Sequence, residues 1–274
     1  MSTAISSPAP SKSVAAVQTA DLPVLLLRIG AGLCFIGHGA FGFITKAAWV
    51  PYFGVVGIPE PWAWRMMPLV GAVDVTVGMM VLFAPRKLPL GYMAVWALWT
   101  ALLRPLAGES FFEAVERAGN YGVPFVLLLA SGIPRTVRGW FAPIRNAPIA
   151  RDRERTVILA LQATTVLLLA GHGALGAITG KGIFATHYAA AGLPAGLTAT
   201  VGWFELALAT AIAVRPWVPL LVFAGLWKLA TESLWVVAGS PVWEFVERSG
   251  SYVAPLALAA LLTVVARRHD GAQG

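Results

Sequence analysis

Two segments hold the residues best suited to chemistry. FEAVERAGNYGVP, Phe112 to Pro124, returns 131 residues later as WEFVERSGSYVAP, Trp243 to Pro255, with seven of thirteen positions identical. Each copy places two acids and an arginine at i, i+3 and i+4: Glu113, Glu116 and Arg117, then Glu244, Glu247 and Arg248. That spacing is one face of a short helix on which the outer acid and the arginine can bond. Gly119 and Gly250 are expected to end these helices in a left-handed C′ conformation, with Pro124 and Pro255 in the first turn of the next helix. Two more matching segments, GHGAFGFIT (Gly37 to Thr45) and GHGALGAIT (Gly171 to Thr179), carry His38 and His172. Asp74 and Glu205, also 131 residues apart, add a carboxylate to each half. A histidine with a carboxylate can hold and move a proton, so His38, Asp74, His172 and Glu205 are the catalytic candidates. Arg104, Asn120, Tyr121, Lys228, Glu232 and Tyr252 join the two acid–arginine faces as the candidate binding set.

The elements that must position these groups follow from composition. The chain is 58% hydrophobic and 12% charged, with a mean hydropathy of +0.73, values that belong to an integral membrane protein. Its net charge of +7 sits in short loops between apolar spans and reads as a topology signal, not a nucleic-acid surface. The single cysteine, Cys34, excludes a disulfide framework, a cysteine zinc cluster and a thiol relay within the chain.

Residues 1–20 read as a disordered tail. Apolar runs near the length a bilayer requires fall at about Leu22 to Ile44, Met66 to Ala84, Leu88 to Leu106 and Tyr121 to Thr136, and again at Thr156 to Ile178, Leu197 to Val214, Trp217 to Ala238 and Ser251 to Ala266. The expectation is an all-α polytopic protein of eight transmembrane helices, arranged as two parallel-repeat four-helix bundles over residues 21–137 and 156–268, joined by a basic linker, 138–155. The aromatic, proline-broken stretch WVPYFGVVGIPEPWAWRMM (Trp49 to Met67) reads as an interfacial segment. Twelve basic residues, among them Lys12, Arg86, Arg151 and Arg268, fall on the side of the termini and linker, against five on the other. Both termini are therefore expected in the cytoplasm of a cell-membrane protein, with the linker lying on anionic lipid or serving only as an anchor.

In this topology His38, Asp74 and Arg104 and their counterparts share one depth with the acid–arginine faces, which outlines a polar chamber near the outer surface of each bundle. Ionisable groups within a span cost about 2.5–3.5 kcal/mol and are usually paired or functional. A structural reading stands beside the functional one. The histidines can simply bond across glycine-lined helix contacts, Asp74 and Glu205 can tie their helices to a loop arginine, and Glu113 with Arg117 can be a solvated pair. The tryptophans are accounted for by interfacial anchoring.

A unit that opens RIGAGLCFIGHGAFG, carries an acid in its second helix and closes FEAVERAGNYGVPFVLLLA resembles the DoxX-like membrane proteins, which include the membrane partner of thiosulfate:quinone oxidoreductase. The resemblance covers Leu22 to about Pro134 throughout. Over Thr156 to Ala266 it rests on the GHG segment, Glu205 and WEFVERSG, with Ser251 and Val253 replacing Asn120 and Gly122. It implies four-helix bundles and a link to quinone or periplasmic redox chemistry, with a partner subunit in a membrane complex. The expected function is a redox-linked membrane subunit with a quinone- or cofactor-binding chamber. A variant places a haem or metal between His38 and His172. A carrier for a small solute or proton, and a structural or assembly subunit, are the alternatives. The halves differ at Ala97 and Lys228, Ala101 and Glu232, Arg104 and Trp235, and Glu109 and Ser240, so two identical sites are not expected: either the repeats contribute different walls to one pocket at their interface, or, the preferred reading, one bundle keeps the site and the other supports it.

Overall fold

Where about twenty residues run without charge, backbone polar groups away from water must bond within their own segment, and helices result. The computed structural model describes residues 21–270; the tail expected to be disordered, residues 1–20, lies outside them. Among the described residues the regular elements are helices: α1 (Leu22–Phe43), α2 (Val50–Val55), α3 (Glu60–Phe83), α4 (Lys87–Leu106), α5 (Phe111–Glu116), α6 (Ala118–Ser131), α7 (Val137–Trp140), α8 (Arg151–Ala177), α9 (Gly182–Ala190), α10 (Leu197–Val214), α11 (Val218–Val237), α12 (Trp243–Glu247) and α13 (Ser249–Asp270). Six of them, α1, α3, α8, α10, α11 and α13, are long and apolar enough to cross a membrane. α4, with Lys87 and Arg104 near its ends, and α6, with 14 residues, fall outside that set.

Several boundaries differ from those expected. α3 starts at Glu60 and not near Met66, and α8 starts at Arg151 and not Thr156. A run of apolar residues marks only the part of a helix suited to lipid, whereas helical hydrogen bonding continues through the flanking charges. Gly119 and Gly250 do not end the short helices. They lie inside α6 and α13 with negative φ, and the break falls two residues earlier, at Arg117 (φ −79°, ψ 12°) and Arg248 (φ −85°, ψ 12°). Pro124 and Pro255 accordingly sit within their helices and not at the start.

The two glycines have a different task. A Cβ on Gly119 would stand 2.7 Å from the carbonyl carbon of Gly250, so α6 and α13 meet backbone to backbone. These two helices with α1 and α8 form the centre of the molecule, and α3, α4, α10 and α11 pack around them on α1, α6, α8 and α13 respectively. The halves are interlocked: α1 also packs on α12 and α13, and α8 on α5 and α6.

The GHG segments make that interlocking fit. The first glycine of each, Gly37 or Gly171, lies against the backbone of the other half's short helix, at Val246 and Glu247 or at Val115 and Glu116. The second, Gly39 or Gly173, lies against a helix of its own half, at the carbonyl of Gly71 or Gly202. Small residues on both faces allow close helix approach and carry the intervening histidine into the interior. The departures Gly122 and Val253 fit the same logic. Val253 fills the space beside Gly30, whereas Thr164, the counterpart of Gly30, fills the space beside Gly122. The two contacts exchange large for small.

Ion pairs cross between the halves in a matching way: Lys46 Nζ lies 2.5 Å from Glu244 Oε1, and Lys181 Nζ 2.6 Å from Glu113 Oε1. At the opposite end the linker is docked and not free. Ile144 and Ile149 are buried, the Ile144 N–H donates to Pro85 O at 2.8 Å, and Arg28 Nη1 donates to Asn146 Oδ1 at 2.7 Å.

Candidate functional site

The close helix contacts bring each histidine onto a carboxylate of the neighbouring helix. His38 Nδ1 lies 2.7 Å from Asp74 Oδ2, and His172 Nδ1 bonds Glu205 Oε2. Both carboxylates are fully buried. Their partner is therefore histidine and not an arginine of the following loop. Each carboxylate engages Nδ1 and so fixes the orientation of its ring. Trp49 stacks on His38 and Phe184 tilts against His172, both with ring centroids 4.5 Å apart.

From that point the halves diverge. In the first, a cavity of about 270 Å³ lies among α1, α2, α3 and α4. Phe35, Trp49, Tyr52, Phe53, Trp96 and Trp99 supply its aromatic walls. Its polar groups are His38, Thr100, Arg104, Arg117, Asn120 and Glu247, the last from the other half. α3 and α4 scarcely touch, and the lining residues Val56 and Trp99 are 47% and 39% exposed, so the cavity opens between these helices on an apolar flank of the molecule.

The cavity's arginines are already paired. Arg117 Nη1 lies 2.6 Å from Glu116 Oε2 and 3.3 Å from Glu113 Oε2, and Arg104 Nη1 lies 3.1 Å from Glu109 Oε2. Arg104 also sits 5.2 Å above the Tyr52 ring, whose hydroxyl donates to Glu109. Partial burial alone would raise the Glu109 carboxyl, but the Tyr52 hydrogen bond and Arg104 hold it below the ordinary carboxylate range. Glu247 is 6% exposed and makes no hydrogen bond or ion pair among the described residues.

In the second half the equivalent space is filled by the chain itself. Lys228, where the first half has Ala97, places Nζ 3.0 Å from Glu232 Oε1 and 3.6 Å from Glu205 Oε1. Glu232, where the first half has Ala101, reaches Arg248 Nε at 3.3 Å. Arg248 lies 4.0 Å over the ring of Trp235, the counterpart of Arg104, and also bonds Glu244 at 2.5 Å. His187 packs on Trp235 with centroids 4.3 Å apart, and burial, aided by the Arg248 charge, lowers its pKa. Each charge faces more than one group of opposite sign, although Lys228 Nζ and Glu232 Oε1 make no hydrogen bond, and removing one member of such a buried set is strongly destabilising.

The expected site residues thus separate into groups. His38, Arg104, Arg117, Asn120 and Glu247 line one cavity, and Asp74 stands behind His38. His172, Glu205, Lys228, Glu232, Glu244 and Arg248 belong to the closed charge cluster. Glu113 and Glu116 serve Arg117 and Lys181. Tyr121 and Tyr252 line neither space; their hydroxyls donate at 3.4 Å to the carbonyls of Ala114 and Phe245. His38 and His172 face different surroundings, and among the described residues no group of three or more His, Cys, Asp or Glu is arranged to hold a metal ion.

Four aromatic residues missed as site candidates, Trp49, Tyr52, Trp96 and Trp99, shape the cavity. One signal was present, since Trp96 matches Trp227 at the 131-residue offset. Trp227 Nε1 donates to Glu205 Oε1 at 2.9 Å, whereas Trp96 Nε1 and Asp74 Oδ1 are both buried without a partner. Asp74 is one methylene shorter than Glu205 and does not close that contact.

No family model, no curated protein and no solved structure matches this chain.

Proposed function

We propose that the chain is a multi-pass membrane protein of two related four-helix units, and that its first unit binds the ring-bearing headgroup of a lipid-soluble redox carrier of the quinone type. In this reading α4 and α6 span the bilayer with the other six helices, both termini are cytoplasmic, and the cavity lies toward the outer face. A partner subunit exchanges electrons with the bound carrier.

The observation that supports the reading is the pairing of aromatic walls with polar groups in one cavity that opens on an apolar flank. A flat ring fits between indoles, with contacts worth about 0.5–1.5 kcal/mol beyond burial, while its apolar tail leaves through the gap between α3 and α4. A quinone supplies two-electron redox chemistry coupled to protons. The chain's own residues would hold its oxygens at His38 and at the N–H groups of Arg104, Arg117 or Asn120, Glu247 would accept from a hydroxyl of the reduced carrier, and Asp74 fixes the ring of His38. The second unit, closed by Lys228 and Glu232, serves as support and contributes Glu247 to the first unit's cavity.

The test is chemical. Protein purified in mild detergent is extracted with organic solvent, and its oxidised-minus-reduced ultraviolet spectrum is recorded before and after extraction. A quinone difference signal that Ala97→Leu diminishes supports the site, because the added side chain enters the cavity. A flat spectrum together with no uptake of an added decyl-tailed benzoquinone would remove this reading in favour of a carrier or an assembly subunit.

A further inference from the structure

The two acid–arginine faces match in sequence but not in what their arginines hold. Arg117 Nη1 lies 2.6 Å from Glu116 Oε2, the acid directly before it, and 3.3 Å from Glu113 Oε2. Arg248 keeps the equivalent of the second contact, with Nη1 2.5 Å from Glu244 Oε2, but among the described residues it makes no ion pair with Glu247, the acid directly before it. Its Nε turns instead to Glu232 Oε2 at 3.3 Å, and its guanidinium lies over the ring of Trp235.

Glu232 stands where the first half has Ala101, so Arg117 has no acid at that position to turn to. Glu232 is itself held in place, 1% exposed and with Lys228 Nζ 3.0 Å from its Oε1. The outcome differs at the two matching acids. Glu116, whose backbone lies against Gly171 of the closed half, is tied to its arginine, whereas Glu247, against Gly37, lines the open cavity without an ion pair. A carboxylate only accepts hydrogen bonds, and an arginine placed on it would stand where a ligand O–H could donate.

We propose, resting on the quinone-type reading above, that Glu232 is a positioning residue of the first unit's site: it holds Arg248 away from Glu247 and so keeps that carboxylate open to a hydrogen-bond donor of the ligand. The charge set that closes the second unit thereby also shapes the cavity of the first.

The experiment measures dissociation constants for the full chain in detergent, by calorimetry under anaerobic conditions, with two ligand probes: a decyl-tailed hydroquinone and its dimethyl ether, which keeps the ring and the tail but has no O–H to donate. The unaltered protein is expected to bind the hydroquinone at least about tenfold more tightly than the ether. Lys228→Met with Glu232→Met removes the buried pair at similar volume, a change that folds often tolerate, and leaves Arg248 free to take Glu247 as Arg117 takes Glu116. That variant should lose most of the tenfold difference through weaker binding of the hydroquinone alone, and adding Arg248→Gln should restore it. Weakening of both probes alike marks a structural role for Glu232 and overturns the proposal, as does an unchanged difference. Equal binding of the two probes by the unaltered protein overturns the open acceptor, needs no variant, and leaves the cavity reading in place. Binding of neither probe overturns that reading and this inference with it.

Discussion

Gly119 and Gly250, which match in the two halves of the sequence, face each other so closely that neither has room for a Cβ. The centre of the molecule is therefore fixed by absent atoms, where the backbones of α6 and α13 meet. Gly119→Ala is expected to cost about 1–3 kcal/mol, read as a lowered unfolding temperature in detergent. An unchanged temperature would mean that the backbones are farther apart than described.

The large-for-small exchange makes a prediction of rescue. Gly122→Val alone drives its side chain into Thr164 and is expected to destabilise by about 1–3 kcal/mol. Combined with Thr164→Gly it reproduces the contact between Gly30 and Val253, and most of the loss should return. Additive losses in the double variant would count against the equivalence of the two contacts.

Lys46 and Glu244 couple the halves at one end. A double-mutant cycle with Lys46→Ala and Glu244→Gln should give a coupling energy of about 1 kcal/mol, within the range of contacting pairs. The same cycle between Lys46 and Glu113 should give none, since Glu113 pairs with Lys181.

The second half shows how to close the first. Ala97→Lys with Ala101→Glu places a lysine and a glutamate where Lys228 and Glu232 stand. The double variant is expected to fold and to lose at least about tenfold in affinity for the ligand probes. Retained affinity would show that the ligand lies elsewhere.

His187 predicts a pH effect with a definite sign. Burial and the Arg248 charge lower its pKa from 6.5, so the unfolded chain takes up the proton first. Its contribution is therefore fully present above pH 6.5, is lost as pH falls from 6.5 toward the lower folded value, and then levels off. His187→Gln should flatten that part of the stability profile, and a slope unchanged from the unaltered protein would refute the assignment.

Much of the site was legible because type and spacing carried it. The i, i+4 acid–arginine pairs bond as spaced, at 3.3 Å for Glu113 and Arg117 and 2.5 Å for Glu244 and Arg248. The differences at Ala97 and Ala101 marked where the halves part. What the sequence left open is which copy touches which. Matching residues are interchangeable on paper, and only packing decides that Lys46 meets Glu244 and not Glu113. Gly119 makes a close approach and not the expected left-handed turn; glycine serves both, and local sequence does not tell the two apart. Trp49, set aside as an interfacial anchor, turned out to stack on His38 because the loop after α1 folds back over the cavity.

The bond between Lys46 and Glu244 spans 198 residues. At a synthesis rate of roughly 5–20 residues per second, Lys46 enters the bilayer boundary about 10–40 seconds before its partner exists. During that interval Gly37 has no α12 to rest against, and that face of α1 waits for its partner. The ribosome thus delivers the first half as an open receptacle, and the last helices to be translated lock it.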